Sequence, residues 1–180
     1  RNRFYNDNKV YNDPPVIAFQ DHSLPNKNVE GAIFTCEKLK KEYPSVKFRA
    51  FGVKKYHNLP DFIEFTENPS DEKLTNIYST SDIFLFSSRH EGFGSPPSEA
   101  MACKCAIVAN KVAAIPEYSE HMKTAIHADP DDKDGLYNGA KLLLDNPGSL
   151  KEISEAAYIH IREFMNWDNS INNLEKFISK

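Results

Sequence analysis

Residues 82–102 read DIFLFSSRHEGFGSPPSEAMA and contain, in order, an apolar run, a glycine-containing loop and the beginning of a helix. The run at 83–86 is continuous and rich in residues that favour β-structure, which is typical of a strand buried on both faces of a parallel sheet. Two carboxylates, Glu91 and Glu99, lie eight positions apart around the glycines. This order predicts one βα unit of an α/β fold with two acidic residues close to its turn.

Four further apolar runs resemble this strand and alternate along the chain with helical patterns. The predicted strands cover residues 16–19, 48–51, 62–65, 83–86 and 106–109. The predicted helices cover residues 29–43, 70–80, 97–102, 132–144, 149–164 and 168–178. Strands that alternate with helices form right-handed βαβ units. We therefore expect an α/β fold, a Rossmann-like doubly wound parallel sheet of about six strands with flanking helices.

Length and composition favour a single globular domain. The chain has 180 residues, of which 40% are hydrophobic and 27% charged, and this is enough for one substantial core. Residues 1–15 are mostly polar and end in two prolines. We interpret them as a linker that leads into a domain covering residues 16–180. The first residue is Arg1 and not methionine, which predicts that the chain is a fragment of a longer protein.

Charge and cysteine content exclude several classes of protein. The net charge is -4, and the lysines are interspersed with acids, which argues against a nucleic-acid partner. The cysteines Cys36, Cys103 and Cys105 form no C-x-x-C pair, so a reducing cytoplasm is the expected compartment. Cys103 and Cys105 suit a core better than a metal site, because no second Cys/His pair has ligand spacing. No run approaches about 18 apolar residues, so we expect no membrane span.

The loop after the quoted strand is the first candidate for a ligand site. In a doubly wound sheet, ligands bind beyond the carboxyl ends of the strands, where the strand order reverses. Gly92 and Gly94 allow positive φ and a close approach of a ligand to the backbone. A helix that we expect to begin near Pro97 presents free amides, which form an anion site. With Glu91 on the loop and Glu99 in the first helical turn, a ligand with central phosphates and terminal hydroxyls fits, as in a sugar nucleotide.

Each of these features also has a purely structural explanation. Acidic residues are common in a first helical turn because they interact favourably with the helix dipole, so Glu99 alone carries little functional meaning. Gly92 and Gly94 would serve an ordinary turn equally well. The functional interpretation therefore depends on the combination of strand, glycine loop, helix start and two carboxylates.

A longer stretch resembles a known family. Residues 81–120, SDIFLFSSRHEGFGSPPSEAMACKCAIVANKVAAIPEYSE, are similar to the C-terminal, donor-binding domain of retaining family-4 glycosyltransferases of the GT-B fold. The family's signature is E-G-F-G followed by E-A-M-A-C, and Glu91 and Glu99 match the two glutamates of its E-x7-E motif. The resemblance begins at Val16 and extends to the C-terminus. NPSDEKLTNIYSTSDIFLF matches the preceding helix and strand, and AAIPEY matches the G-x-P-E segment.

The resemblance implies a role for each matching residue. Glu91 would contact hydroxyls of the donor sugar, and Glu99 would bind the ribose hydroxyls. Backbone amides on the glycine loop would hold the diphosphate of the donor. The loop residues assigned to donor binding in this way are Gly92, Phe93, Gly94 and Ser95.

The family also places an arginine and a lysine on the first strand-to-helix loop, where they neutralise the leaving diphosphate. In FQDHSLPNKN, Lys27 matches the lysine. The arginine is absent, and His22 lies near its position, either as a weaker, pH-dependent substitute or as an ordinary loop histidine. Phe65 and Thr66 match the region where the family packs the nucleotide base, although an aromatic residue there also suits a core. The predicted catalytic residues are Glu91 and Lys27.

The implied activity is the retaining transfer of a sugar from a nucleoside diphosphate sugar to an acceptor hydroxyl, in bacterial surface polysaccharide or glycoconjugate biosynthesis. No metal cofactor is expected. The implied partner is an N-terminal acceptor-binding domain that this sequence lacks, so the chain alone is expected to be inactive. A cytoplasmic location fits, with peripheral membrane association where the acceptor is linked to a lipid. The missing arginine leaves open a non-catalytic nucleotide-binding module on the same fold and, with less support, a hydrolase or epimerase of GT-B architecture.

Overall fold

The computed structural model describes residues 4–166 and the four residues 171, 175, 177 and 178. Strands and helices alternate along this part of the chain. The strands are β1 (Val16–Gln20), β2 (Lys47–Gly52), β3 (Ile63–Glu67), β4 (Ile83–Phe86), β5 (Ala106–Asn110) and β6 (Ile126–Ala128). The α-helices are α1 (Val29–Glu42), α2 (Asp71–Ser79), α3 (Ser95–Ala102), α4 (Ile115–Tyr118), α5 (Gly135–Asp145) and α6 (Pro147–Phe164), and a 3-10 turn covers Pro25–Lys27.

The strands form one parallel sheet in the order β3-β2-β1-β4-β5-β6. The order reverses between β1 and β4, which pair with Ile17 opposite Ile83. All four residues of β4 are buried, as expected for a strand covered on both faces. The prediction of a Rossmann-like doubly wound sheet with flanking helices is therefore confirmed.

Helices cover both faces of the sheet. On one face α1, α5 and the first half of α6 pack against alternate strand residues such as Phe19 and Leu85. On the other face α2, α3, α4 and the second half of α6 pack against residues such as Phe84 and Phe86. Because neighbouring residues of a strand point to opposite faces, each strand contributes to both clusters. The two clusters form the core of the domain.

Two short elements, β6 and α4, were not predicted, and α3 begins at a different residue from the predicted one. β6 has three residues, one of them the half-buried His127, so it lacks the continuous apolar run that identified the other strands. α4 has only four residues, too few for a helical period to be recognised. α3 begins at Ser95, two residues before Pro97. The helix predicted at 168–178 lies largely outside the described residues.

Residues 4–15, within the segment interpreted as a linker, run along the domain without forming a helix or strand. Tyr11 Oη lies 2.6 Å from Ser154 Oγ on α6, and burial raises the pKa of Tyr11 to about 12. Asn12 Nδ2 donates to Asp82 Oδ2 at 2.8 Å. These contacts of two adjacent residues attach the segment to the domain just before β1.

The contact between α5 and the edge of the sheet requires a residue without a side chain. A Cβ on Gly139 would lie 2.7 Å from Val108 Cγ1 and 2.8 Å from Ile126 Cγ2. The backbone of α5 thus approaches β5 and β6 more closely than an alanine would allow. Gly148, in the first turn of α6, is the opposite case, because no atom lies within 4 Å of its Cβ position.

We expect Gly139→Ala to lower the free energy of unfolding by up to about 2 kcal/mol. Overpacking against two branched side chains costs about 1–3 kcal/mol and exceeds the gain in helix propensity of about 1 kcal/mol. Gly148→Ala is the matched control and should leave stability unchanged or raise it by up to about 1 kcal/mol. Urea denaturation followed by circular dichroism measures both variants, and equal stabilities for the two would contradict this account of the packing.

Candidate functional site

The carboxyl ends of β1 and β4 lie side by side where the strand order reverses. The chain leaves β1 towards α1 on one face of the sheet and leaves β4 towards α3 on the other. The two connecting loops, residues 21–28 and 87–94, therefore diverge, and a cleft opens between them. Most of the predicted donor-binding residues lie on these loops, as the sequence pattern required.

Direct contacts join the two loops across the cleft. Lys27 Nζ forms an ion pair with Glu91 Oε1, and the two side chains are 20% and 11% exposed. Ser88 Oγ donates to the same carboxylate oxygen at 2.8 Å. The backbone amide of Arg89 donates to the carbonyl of Asn26 at 2.8 Å. The fold thus brings together the two residues that the sequence predicted to be catalytic, and each neutralises the charge of the other.

The glycine loop contains one residue in the left-handed region. Gly94 has φ of 79°, and a Cβ there would lie 3.2 Å from Ile115 Cδ1 and 3.3 Å from Tyr118 Oη. Gly92 lies outside this region of φ, and no atom is within 4 Å of its Cβ position. The expectation of a backbone that requires glycine therefore holds for Gly94 and not for Gly92.

Tyr118, at the end of α4, supports the turn at Gly94. Its Oη donates to the Gly94 carbonyl at 2.9 Å, and its ring centroid lies 5.0 Å from that of Phe93. Burial raises the pKa of the Tyr118 phenol, and the Glu91 carboxylate raises it further. The hydroxyl therefore remains protonated and keeps its role as a donor to the loop.

The first turn of α3 differs from the expected anion site. α3 begins with Ser95, Pro96 and Pro97, and proline has no amide hydrogen. Only Ser95 can therefore donate from the first three helical positions. Within the described part of the chain, the amides of Phe93, Gly94 and Ser95 donate to no protein acceptor. Three successive amides, and not a full helix terminus, form the potential phosphate contact.

Glu99 is the fifth residue of α3, so it lies in the second helical turn. The prediction that it belongs to the first turn is wrong, because the helix begins two residues earlier than its prolines suggested. A favourable interaction with the helix dipole consequently does not explain its position. Tyr78 Oη donates to Glu99 Oε2 at 3.1 Å, and burial together with this carboxylate raises the pKa of Tyr78. The tyrosine therefore orients the half-buried glutamate.

His22 lies at the other end of the β1–α1 loop. Its Nδ1 accepts a hydrogen bond from the Leu24 amide at 3.1 Å, and its ring stacks on Tyr56 with centroids 6.4 Å apart. The buried Asp21 accepts from the Tyr56 amide at 2.8 Å and lies 2.6 Å from His57 Nδ1. His57 is thus a half-buried histidine packed against Asp21. These contacts hold the loops after β1 and β2 together.

Phe65 and Thr66, at the end of β3, point to opposite faces of the sheet. Phe65 packs against the cluster that α1 covers. Thr66 pairs in register with Phe51, which belongs to the opposite cluster together with Tyr78. Since Tyr78 also bonds Glu99, Thr66 lies on the same face as Glu99, whereas Phe65 does not.

Three residues that the sequence prediction did not single out support the predicted site. Tyr78 and Tyr118 each contact a site residue that is 21 and 24 positions away, respectively, and no local pattern signals such pairs. Ser88 is three residues before Glu91, a spacing at which a hydroxyl and a carboxylate meet in a turn. The S-x-x-E pattern could therefore have identified Ser88.

The other candidates lie outside the cleft. Cys103 and Cys105 are buried in the core, as expected, and burial raises the pKa of the Cys103 thiol to about 11. Among the described residues, no three His, Cys, Asp or Glu side chains are arranged to hold a metal ion. The same residues contain no helix that is both long and apolar enough to cross a bilayer.

Comparison with known proteins identifies a family and its fold. Residues 1–160 match the family model described as glycosyl transferases group 1. The chain is 27% identical over 172 residues to O-antigen chain mannosyltransferase B of Escherichia coli, an alignment that covers 85% of this chain and 44% of the relative. The chain spans less than half the length of the curated relatives it matches.

Solved structures share the arrangement of strands and helices. The C-terminal domain of LpcC, a glycosyl transferase group 1 family protein from Francisella tularensis, has a TM-score of 0.73 and 22% identity, covering 90% of this chain and 94% of that one. Anabaena HepE in complex with UDP has a TM-score of 0.78 and 18% identity, covering 91% of this chain and 48% of that one. These likenesses concern the fold, which is that of one half of a GT-B enzyme. The match over residues 1–160 shows that the chain belongs to the glycosyl transferases group 1 family.

Proposed function

We propose that this chain is the donor-binding half of a retaining glycosyltransferase that moves a hexose from a nucleoside diphosphate sugar to an acceptor hydroxyl. The observation that carries the proposal is the cleft between loops 21–28 and 87–94. It combines the three free amides of residues 93–95 with the Lys27–Glu91 ion pair. Glu99 lies one helical turn further on. This is the set of groups that a diphosphate flanked by two polyols requires.

Each group in the cleft suits one part of the donor. The amides of Phe93, Gly94 and Ser95 and the ammonium of Lys27 are donors for the diphosphate oxygens. The carboxylates of Glu91 and Glu99 are acceptors for sugar and ribose hydroxyls. The solved structure of HepE, which shares the fold, contains UDP, and this supports a nucleotide in the corresponding cleft.

The ion pair between Lys27 and Glu91 suggests how the cleft would act on a bound donor. A diphosphate would attract the Lys27 ammonium, while sugar hydroxyls would replace it beside Glu91. Lys27 and the loop amides would then stabilise the negative charge that develops on the diphosphate as the bond to the sugar breaks. Electrostatic stabilisation of this kind is usually the largest contribution of a protein to catalysis.

The finer features of the proposal follow from the family. Relatives named as O-antigen chain mannosyltransferases favour a role in bacterial surface polysaccharide synthesis in the cytoplasm, with peripheral membrane association for a lipid-linked acceptor. The diphosphate would be held without a metal cofactor. Because the chain spans 44% of mannosyltransferase B, we propose that a second domain binds the acceptor and that this chain alone binds donor without turning it over.

A non-catalytic nucleotide-binding module remains the second candidate. It is favoured by the loop that lacks the family's arginine, where His22 accepts a hydrogen bond from the Leu24 amide. A neutral His22 in this arrangement has its hydrogen on Nε2 and offers a single donor, which is weaker than a guanidinium. Sugar transfer by the chain combined with its acceptor-binding domain would distinguish the enzyme from the module.

We expect Glu99→Gln to weaken nucleotide binding by roughly 10-fold, because hydrogen bonds from ribose hydroxyls to a charged acceptor contribute about 1.5–3 kcal/mol. Calorimetric titration with UDP, GDP and dTDP measures the dissociation constants. Glu152→Gln, an exposed change on α6, is the control and should bind like the parent chain. Unchanged affinity in Glu99→Gln for a nucleotide that the parent binds would refute the ribose assignment.

Lys27→Gln tests the contact with the diphosphate. We expect the affinity for the preferred nucleoside diphosphate to fall about 10-fold, the loss of one charge-assisted hydrogen bond, while the affinity for the matching monophosphate changes less. The two titrations are run side by side on the same variant. An equal loss for both nucleotides, or no loss for either, would show that Lys27 does not contact the terminal phosphate.

A further inference from the structure

Two cavities lie beside the cleft, around the loop that follows β6. The first, of about 390 Å³, is lined by the N-terminus of α1, the loop after β4 and the loop after β6. The second, of about 340 Å³, lies at the carboxyl ends of β5 and β6. Pro130 lines both, and we refer to the two cavities together as the β6 groove. Each volume is within the range of about 300–1,000 Å³ found for small-molecule sites.

The first cavity contains charges of both signs. Arg89 and Lys133 supply two cations, and Glu30, Asp131 and Asp132 supply three carboxylates. A phosphate or an acidic polymer would be repelled by the carboxylates, and a cation would be repelled by the guanidinium and the ammonium. A neutral ligand whose groups both donate and accept hydrogen bonds suits this mixture best.

Two polar groups in this cavity are available for a ligand. Asn110 is 2% exposed, and its Nδ2 donates to the carbonyls of Ser87 at 2.7 Å and Ser88 at 3.2 Å. Across residues 4–166, nothing donates to Asn110 Oδ1, and the Arg89 guanidinium has no protein acceptor. The Arg89 side chain is exposed, so the cavity offers an amide oxygen on one residue and solvated guanidinium donors on another, both of which a polar ligand can bond.

Apolar surface completes the first cavity. Phe34 of α1 and Leu136 of α5 line its wall, and Lys133 Nζ lies 4.6 Å from the centre of the Phe34 ring. A pyranose ring has C–H groups on its faces and hydroxyls around its edge. A wall that combines an aromatic ring with planar amide and guanidinium groups matches both parts of a pyranose.

The second cavity has the same mixed character. Lys111 and Asp129, which line it, carry opposite charges. His127 Nε2 lies 2.8 Å from Ser119 Oγ, and burial lowers the pKa of His127 to about 4, so its ring is neutral at pH 7. The His127 amide donates to His121 Nδ1 at 3.0 Å, which leaves His121 Nε2 for an external partner. The cavity again offers donors and acceptors with little net charge.

We propose that the β6 groove binds neutral sugar units of the glycan to which the transferred sugar is added. This rests on the proposed function, because it assigns the acceptor chain of that reaction a contact on the donor-binding half. Arg89, which lines the first cavity, is two residues before Glu91. The second cavity lies at β6, on the opposite side of β4 from the strand end that carries Thr66. A glycan could thus lie along the rim without overlapping the nucleotide.

Titration of the ¹⁵N-labelled chain with mannotriose, followed by NMR, tests the proposal. This trisaccharide is chosen because the matched relatives are named mannosyltransferases. We expect amide shifts at residues 28–34, 89 and 130–133, and a dissociation constant that rises about 10-fold in the double variant Arg89→Gln, Lys133→Gln. Lys151→Gln, an exposed change on α6, should bind like the parent. Both groove side chains are exposed, so the double variant should remain folded.

A parallel titration with the preferred nucleotide separates this inference from the proposed function. Nucleotide binding that depends on Glu99, with no shift in the groove up to tens of millimolar trisaccharide, would overturn the groove assignment alone. If the chain shows no nucleotide binding that depends on Glu99, while the trisaccharide still shifts the groove amides, the proposed function is overturned instead. Groove shifts with inorganic phosphate but not with trisaccharide would also overturn the assignment, as would equal trisaccharide affinity in the double variant and the parent.

Discussion

The pairing of β1 with β4 is the constraint on which the rest of the structure depends. These two strands lie next to each other although 62 residues separate Gln20 from Ile83 in the chain, and each connects to a helix on a different face of the sheet. Their loops must therefore separate at the carboxyl ends. The resulting cleft sets Lys27 opposite Glu91. Lys27 and Glu91 are 64 positions apart in the chain, and the strand order makes them neighbours.

The sequence predicted the sheet well because its strands are buried on both faces. Runs such as Ile83–Phe86 have no polar residue and are recognisable without any tertiary information. β6 was missed because it is three residues long and contains His127. The start of α3 was misplaced because either Pro96 or Pro97 suits an early helical position. That choice is settled by the left-handed turn at Gly94, which packing against Tyr118 fixes.

The sequence identified residues of the candidate site, but it did not identify the side chains that hold those residues in place. Glu91, Glu99 and Lys27 could be identified from a motif, yet the partner of Glu99 depends on how α2 packs beside α3, a non-local contact through Tyr78. The opposite orientations of Phe65 and Thr66 depend on the register of β3 with β2. Such features follow from packing across the sheet, and a single sequence carries no direct signal for them.

The two prolines at the start of α3 have a consequence for the entropy of ligand binding. Pro96 and Pro97 have fixed φ angles, and the preceding Gly94 is held in place by Tyr118. The loss of backbone freedom in this turn therefore takes place when the domain folds and not when a ligand arrives. A phosphate would meet amides that already have their final orientation, so a larger share of the hydrogen-bond energy would be retained as affinity. Pro96 and Pro97 thus remove two amide donors from the start of α3 and make the preceding loop more rigid.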